Sequence, residues 1–244
     1  MAPHKRKKHP RLADRDYEIL DHISRYHMTT REVLHELFFN ESELNAVTKV
    51  TSRLVEYQFL NGYDFHSGKK YFVFGPAGAK LFGISPKKCA QLGPQALVEK
   101  YGILQFCCAT DVPREKLLVH ELTEHLQTLK GKHLGAGTFY LDQQGPQLRL
   151  AQMRVDHGGP AAHVVRKCRS DLETRLALPQ IAELVAHKQF MLAIITSSEQ
   201  KVRDIQEALQ RHTWPIFFRL EAVSDLAPLI AAQHHERLNR NEPK

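Results

Sequence analysis

The chain has 244 residues, 42% of them hydrophobic and 25% charged, which is the composition of a soluble globular protein long enough for two domains with separate cores. A formal charge of +7 and a pI near 9.2 permit a polyanionic partner without requiring one. Four cysteines without a C-x-x-C (Cys89, Cys107, Cys108 and Cys168) argue against a zinc knuckle or a secreted disulfide framework, and no run approaches the roughly 18 apolar residues of a membrane span, so a cytoplasmic protein without a signal segment is expected.

Residues 1–13 form a basic arm. His4-Lys5-Arg6-Lys7-Lys8-His9-Pro10-Arg11 carries five Lys or Arg and no acid. Such a run is either a solvated tail or a strap along phosphates, with Lys5, Arg6, Lys7 and Lys8 as the contacts. Residues 14–84 read as one domain. Asp14 to Tyr26 predicts a helix with Tyr17, Leu20 and Ile23 inward, and Ile19 a further candidate. Thr29 or Thr30 caps a second, short helix through Val33, Leu34 and Leu37. After the break at Asn40-Glu41-Ser42, a third helix puts Leu44, Val47, Val50, Leu54 and Tyr57 on one side. Asn45, Lys49, Ser52 and Arg53 fall on the other, with Thr48 on its flank.

That outward set suits nucleic acid, because amides and hydroxyls read base-edge donors and acceptors while Lys and Arg meet phosphate oxygens. Phe59 to Tyr63 and Lys70 to Phe74 then predict two strands joined through His66-Ser67-Gly68-Lys69, a hairpin whose tip carries Lys69 and Lys70. Pro76 starts a short closing helix and Gly83 stops it. Helix, short helix, turn, longer helix and hairpin is the order of a winged helix-turn-helix. Against a DNA role, residues 12–83 hold eight Lys or Arg and ten Asp or Glu, a formal balance of −2, so arm and hairpin must supply the positive face. The bland alternative is a protein–protein module.

The pattern Asp16-Tyr17-Glu18-Ile19-Leu20, Thr29-Thr30-Arg31-Glu32-Val33-Leu34, Arg53-Leu54-Val55-Glu56-Tyr57 and Tyr71-Phe72-Val73-Phe74-Gly75-Pro76-Ala77-Gly78 resembles the winged-helix domain of replication-relaxation proteins of plasmids and other mobile elements. The resemblance covers about residues 14–83. It implies a DNA-binding domain followed by a degenerate nuclease-like one.

Residues 85–112 read as a linker, with Pro86, Gly93 and Pro94, a helical turn over Gln95 to Tyr101 and a short apolar element, of open type, at Ile103 to Cys108. Residues 113–244 read as an α/β domain. A helix from Pro113 through Leu129 is followed by strands at Thr138 to Asp142, Leu148 to Asp156 and Ala162 to Arg169. A helix over Asp171 to Lys188, a buried strand at Phe190 to Thr196, a helix from Ser198 to His212, a strand at Trp214 to Leu220 and a terminal helix complete it. The expected fold class is therefore α+β: a winged helix-turn-helix, then an α/β domain of restriction-endonuclease-like order (αβββαβαβ).

An active nuclease of that order needs an acid on the second strand and an acid-x-Lys on the third to hold Mg²⁺. Asp156 and Lys167 are the candidates, but Val165 stands where the acid two places before Lys167 belongs, and Asp156 sits beside a Gly-Gly-Pro turn that favours aspartate structurally. In His120-Glu121-Leu122-Thr123-Glu124-His125 the histidines stand five apart, about 140° around a helix, unlike a zinc protease pair. Gly135-Ala136-Gly137 reads as a loop and Cys107-Cys108 as core. Arg166-Lys167-Cys168-Arg169 is either a second nucleic-acid or effector contact or a salt-bridge set with Asp156, Asp171 and Glu173. His234 to Arg240 is solvated or supports self-association.

The function expected is sequence-specific binding of double-stranded DNA without enzymatic activity, cofactor or metal. It fits a transcriptional regulator of a mobile genetic element that binds as a homodimer, with the C-terminal domain used for dimerisation, an effector or a protein partner and no membrane contact. The alternatives are a plasmid replication or mobilisation accessory protein and a divergent metal-dependent nuclease.

Overall fold

The computed structural model describes residues 11–110, 112, 114–125, 137–145 and 147–241. Lys5, Arg6, Lys7 and Lys8 lie outside them, as do Pro113, Gly135 and Ala136. The chain is mixed α and β with two sheets, and it divides into residues 1–91 and residues 92–244.

The first unit runs α1 (Asp14–Tyr26), β1 (Thr29–Thr30), α2 (Arg31–Phe38), α3 (Leu44–Glu56), β2 (Leu60–Asp64), β3 (Lys70–Phe74) and α4 (Pro76–Leu81). Each start and stop has a local cause. The Asp16 carboxylate accepts the Ala13 N–H (2.9 Å) at the head of α1, and His27, at φ 66°, ends it by donating its N–H to the Ile23 carbonyl (2.8 Å). Of the two threonines, Thr30 is the cap: its Oγ1 accepts the Val33 N–H at 3.3 Å. All three strands are antiparallel, in the order β1-β3-β2. Ile19, Leu20, Ile23, Leu34, Val47 and Leu54 from the helices meet Leu60, Phe72 and Phe74 from the sheet in one core. Gly75 makes the turn from β3 into α4 possible, since a Cβ there would stand 2.3 Å from the Gln58 carbonyl oxygen.

Two expectations for this unit change. Tyr17 is 46% exposed rather than inward, and its neighbour Asp16 is buried instead, because Asp16 receives a guanidinium from α3. The expected linker is structured. Pro86–Cys89 forms a 3₁₀ turn whose Cys89 carbonyl accepts from Asn61 Nδ2 (2.9 Å) and the Tyr63 hydroxyl (2.8 Å), which ties it to the sheet. Residues 94–108 are a helix of the second unit, not a tether.

The second unit runs α5 (Pro94–Cys108), α6 (Val119–His125), β4 (Thr138–Asp142), β5 (Arg149–Val155), α7 (Ala161–Leu176), α8 (Pro179–Ala186), β6 (Phe190–Thr196), α9 (Glu199–Gln210), β7 (Phe217–Ala222) and α10 (Leu226–Asn241). The sheet order is β4-β5-β6-β7; β4 is antiparallel to β5, and β5, β6 and β7 are parallel. All seven residues of β6 are buried, as a central parallel strand covered on both faces requires. Leu192 and Ile194 pack toward α7, α8 and α9. On the opposite face, Gly102 lets α5 approach β5: a Cβ there would lie 3.0 Å from both Val155 methyls.

The order differs from the expected αβββαβαβ at one decisive place. Ala162 to Arg169, expected as a third strand, belongs to the helix α7. Val164, Val165, Cys168 and Leu172 are its buried apolar residues, on one face at helical spacing, and Pro160 stands at its N-cap. The apolar stripe at helical spacing outweighs the β-branched pair that suggested a strand. Likewise, residues 114–118 are extended rather than helical: Lys116 bridges to Tyr140, and the Leu117 N–H donates to the Phe139 carbonyl (2.7 Å) along the outer edge of β4. Among the described residues no helix is long and apolar enough to cross a membrane.

Candidate nucleic-acid interface

The site begins with the way α2 presents α3. Between them the His35 ring N–H donates to the Ser42 carbonyl (2.7 Å), and the Ser42 N–H to the Phe39 carbonyl (2.8 Å), which fixes the turn. Val47, Thr51 and Leu54 then point into the core, with the Thr51 hydroxyl bonded back to the Val47 carbonyl at 2.9 Å. That anchoring sets the opposite face. Asn45, Lys49 and Ser52, four and three residues apart, are all exposed and lie together there. An amide, an ammonium and a hydroxyl in one row can donate to and accept from base edges and meet a phosphate.

Two other predicted residues have internal duties. Arg53 Nη2 lies 2.5 Å from Asp16 Oδ1, with Asp16 buried and the Arg53 side chain 40% exposed, so this guanidinium joins α3 to α1. Beside the expected DNA contact, its partner within the fold is a buried carboxylate. Thr48 is half-buried; its hydroxyl donates to the Leu44 carbonyl (3.3 Å) and accepts from Arg31 Nη1 (3.4 Å). Arg31 is therefore a cation beside the α3 face that helical periodicity did not supply. Only the tight α2–α3 turn, bringing the start of one helix to the flank of the next, could have pointed to it.

The hairpin tip is built from backbone geometry. Ser67 (φ 55°) and Gly68 (φ 73°) both take the left-handed region, with the Phe65 N–H donating to the Lys69 carbonyl (2.8 Å). Nothing lies within 4 Å of a Cβ placed on Gly68, so the tip is open. Lys70 is exposed and pairs across the hairpin with Asp64, which partly offsets its charge, while Lys69 is half-buried. Glu43 and Glu56, both exposed, flank α3 and counter its lysine at the two ends.

No protein-family model, curated protein or solved structure matches the chain.

In the second unit a cleft of about 520 Å³ lies at the end of β5, lined by Gln152, Arg154, Asp156, Lys167, Asp171 and Arg175 among others. It contains both nuclease candidates, but their geometry serves structure. Asp156 is buried and accepts from the Gly158 N–H (3.2 Å) and the Thr196 hydroxyl (3.4 Å), as a turn aspartate does. Lys167 sits on α7, not on a strand beside it. Arg154 Nε bonds Asp171 at 2.8 Å, and Arg175 Nε donates to Gln152 Oε1 at 3.0 Å, with burial holding the Arg175 pKa below its ordinary value. Arg166 bonds the His163 ring instead of a carboxylate, and Arg169 stands over the Trp214 ring, so of the expected salt bridges the one to Asp171 comes from Arg154. Among the described residues no three His, Cys, Asp or Glu side chains are grouped to hold a metal ion.

Proposed function

We propose that the chain is a sequence-specific double-stranded DNA-binding protein whose residues 14–84 act as a winged helix-turn-helix, with α3 as recognition helix and the β2–β3 hairpin as wing. The observation that carries this is the row Asn45, Lys49 and Ser52, exposed on a helix whose other side is pinned in the core. Lys69, Lys70, Arg31 and the basic arm Lys5-Arg6-Lys7-Lys8 supply the phosphate contacts that this row cannot make alone. The biological role that fits best is transcriptional regulation of a mobile genetic element in the cytoplasm. In that role the second unit is non-catalytic and serves self-association or partner contact.

The test is a fluorescence-anisotropy titration against duplexes selected from a random pool, repeated from about 50 to about 200 mM salt. Log affinity should fall linearly with log salt, and Lys49→Ala should reduce the slope by about 0.9, the share of one phosphate. No binding of any duplex at the lowest salt would leave the unit as a protein-interaction module.

A further inference from the structure

Strand β5 and helix α7 are laced together by side chains along one wall of the cleft. Gln152, Arg154 and Asp156 alternate onto one face of β5 and its end, while Arg175, Asp171 and Lys167 stand four residues apart on α7, so the two rows run side by side. Two rungs are closed. Arg175 Nε donates to Gln152 Oε1 (3.0 Å), and Arg154 Nε to Asp171 Oδ2 (2.8 Å). The third is open: Asp156 accepts instead from the Gly158 N–H (3.2 Å) and the Thr196 hydroxyl (3.4 Å), and the exposed Lys167 has no acceptor among the described residues.

The cations of this wall exceed what the fold gives them. Arg175 is only 7% exposed and its bond to Gln152 is to a neutral group, while Asp171 also serves Arg154. Burial therefore outweighs the attraction of Asp171 and holds the Arg175 pKa below its ordinary value. Glu99, on the facing wall, meets Lys100 at 3.3 Å. A buried guanidinium and an open ammonium on one helix face, beside a cleft of about 520 Å³, leave positive charge that an anion would balance.

We infer that this cleft binds a phosphate monoester of nucleotide size, held by Lys167 and Arg175 from α7 and by Arg154 from β5. The site belongs to the second unit alone and does not depend on the first unit binding DNA. The charge selects the ligand. A phosphate monoester carries about −1.5 to −2 at neutral pH and three acceptor oxygens. A carboxylate or a phosphodiester offers one charge and two such oxygens. With Asp171 answering Arg154, the charges of Lys167 and Arg175 match the larger of these. Planar guanidinium forks take paired phosphate oxygens, and the flexible ammonium at the rim takes another. The volume selects the size, since the cleft falls within the range of about 300–1,000 Å³ that small-molecule sites occupy and exceeds a phosphate alone. The amides of Gln95 and Gln152 line it as polar partners for the group that the phosphate carries.

Calorimetric titration of the full chain with deoxyadenosine 5′-monophosphate as probe should show saturable one-to-one binding, and deoxyadenosine, which lacks the phosphate, should show none. By NMR the Arg175 Nε–H and the backbone amides of Arg154 and Asp171 should shift with the monophosphate, which locates the binding in the cleft. Lys167→Ala, at an exposed position that leaves the core intact, should weaken it about tenfold or more, the share of one charge-assisted hydrogen bond. Arg211→Ala removes an equal charge from an exposed residue outside the cleft and should leave it unchanged. A short single strand with a 5′-phosphate separates the two sources of such a group: tighter binding than the mononucleotide assigns the site to strand ends, and weaker binding to a free nucleotide. No binding of the mononucleotide or the phosphorylated strand at millimolar concentration, deoxyadenosine binding as well as its monophosphate, or unchanged affinity in a folded Lys167→Ala protein overturns the assignment.

Discussion

Lowering the pH acts on the first unit through His22. This side chain is buried in α1 against Tyr26 and Phe38, its Nε2 is 3.1 Å from the Thr29 hydroxyl, and burial, then the charge of Arg25, lowers its pKa from 6.5 to about 4. In the folded chain it stays neutral, whereas in the unfolded chain it takes a proton below about pH 6.5. The unfolded state therefore binds more protons across that interval. Stability is full above about pH 6.5, falls as the pH drops toward 4 and is flat, as far as this group is concerned, below it. From about pH 7 to about pH 4.5 the loss amounts to about 2.5 kcal/mol. His22→Gln keeps a donor and acceptor for Thr29 without a titrating group and should remove that share of the pH dependence. Urea unfolding followed by circular dichroism measures it. The one tryptophan, Trp214, lies in the second unit, so its fluorescence reports that unit separately. Equal pH slopes for the first unit of both proteins, or a His22 imidazole titrating near 6.5 by NMR in the folded chain, would refute the reasoning.

Other outcomes follow from the same geometry. Arg53→Ala leaves the buried Asp16 without its guanidinium and should cost about 1–2 kcal/mol, read by thermal melting; an unchanged melt would return Arg53 to a purely DNA-facing role. Lys49→Ala should leave the melt unchanged while weakening duplex binding, since its side chain is exposed and its proposed partner is a phosphate. Gly75→Ala drives a Cβ into the Gln58 carbonyl and should destabilise the first unit by about 3 kcal/mol, measured by urea unfolding. DNA incubated with the protein and Mg²⁺ or Mn²⁺ should stay intact by gel; cleavage abolished by Asp156→Ala would reverse the structural assignment of that residue.

Much of the first unit was legible because its signals are local. Apolar spacing located α1 and α3, a threonine cap located α2, and the Ser67-Gly68 turn between two aromatic runs located the hairpin. The Arg53–Asp16 pair was not legible, because its partners stand 37 residues apart and nothing in either neighbourhood announces the other. The helix α5 hid in an apparent linker because it is apolar on most sides, which erases helical periodicity. The helix α7 was misread where Val164-Val165 mimics a strand, although Cys168 and Leu172 continue a helical stripe. Of the candidate face on α3, Asn45, Lys49 and Ser52 stand exposed, while Thr48 and Arg53 carry internal bonds that only the folded chain reveals.

The central claim is that the outward face of α3 meets duplex DNA, and NMR on the full chain with a selected duplex tests it most directly. The side-chain amide of Asn45 and the backbone amides of Asn45, Lys49 and Ser52 should shift on titration, and the shifts should reverse when salt is raised. Shifts confined to other surfaces, with these four signals unmoved at saturation, would contradict it.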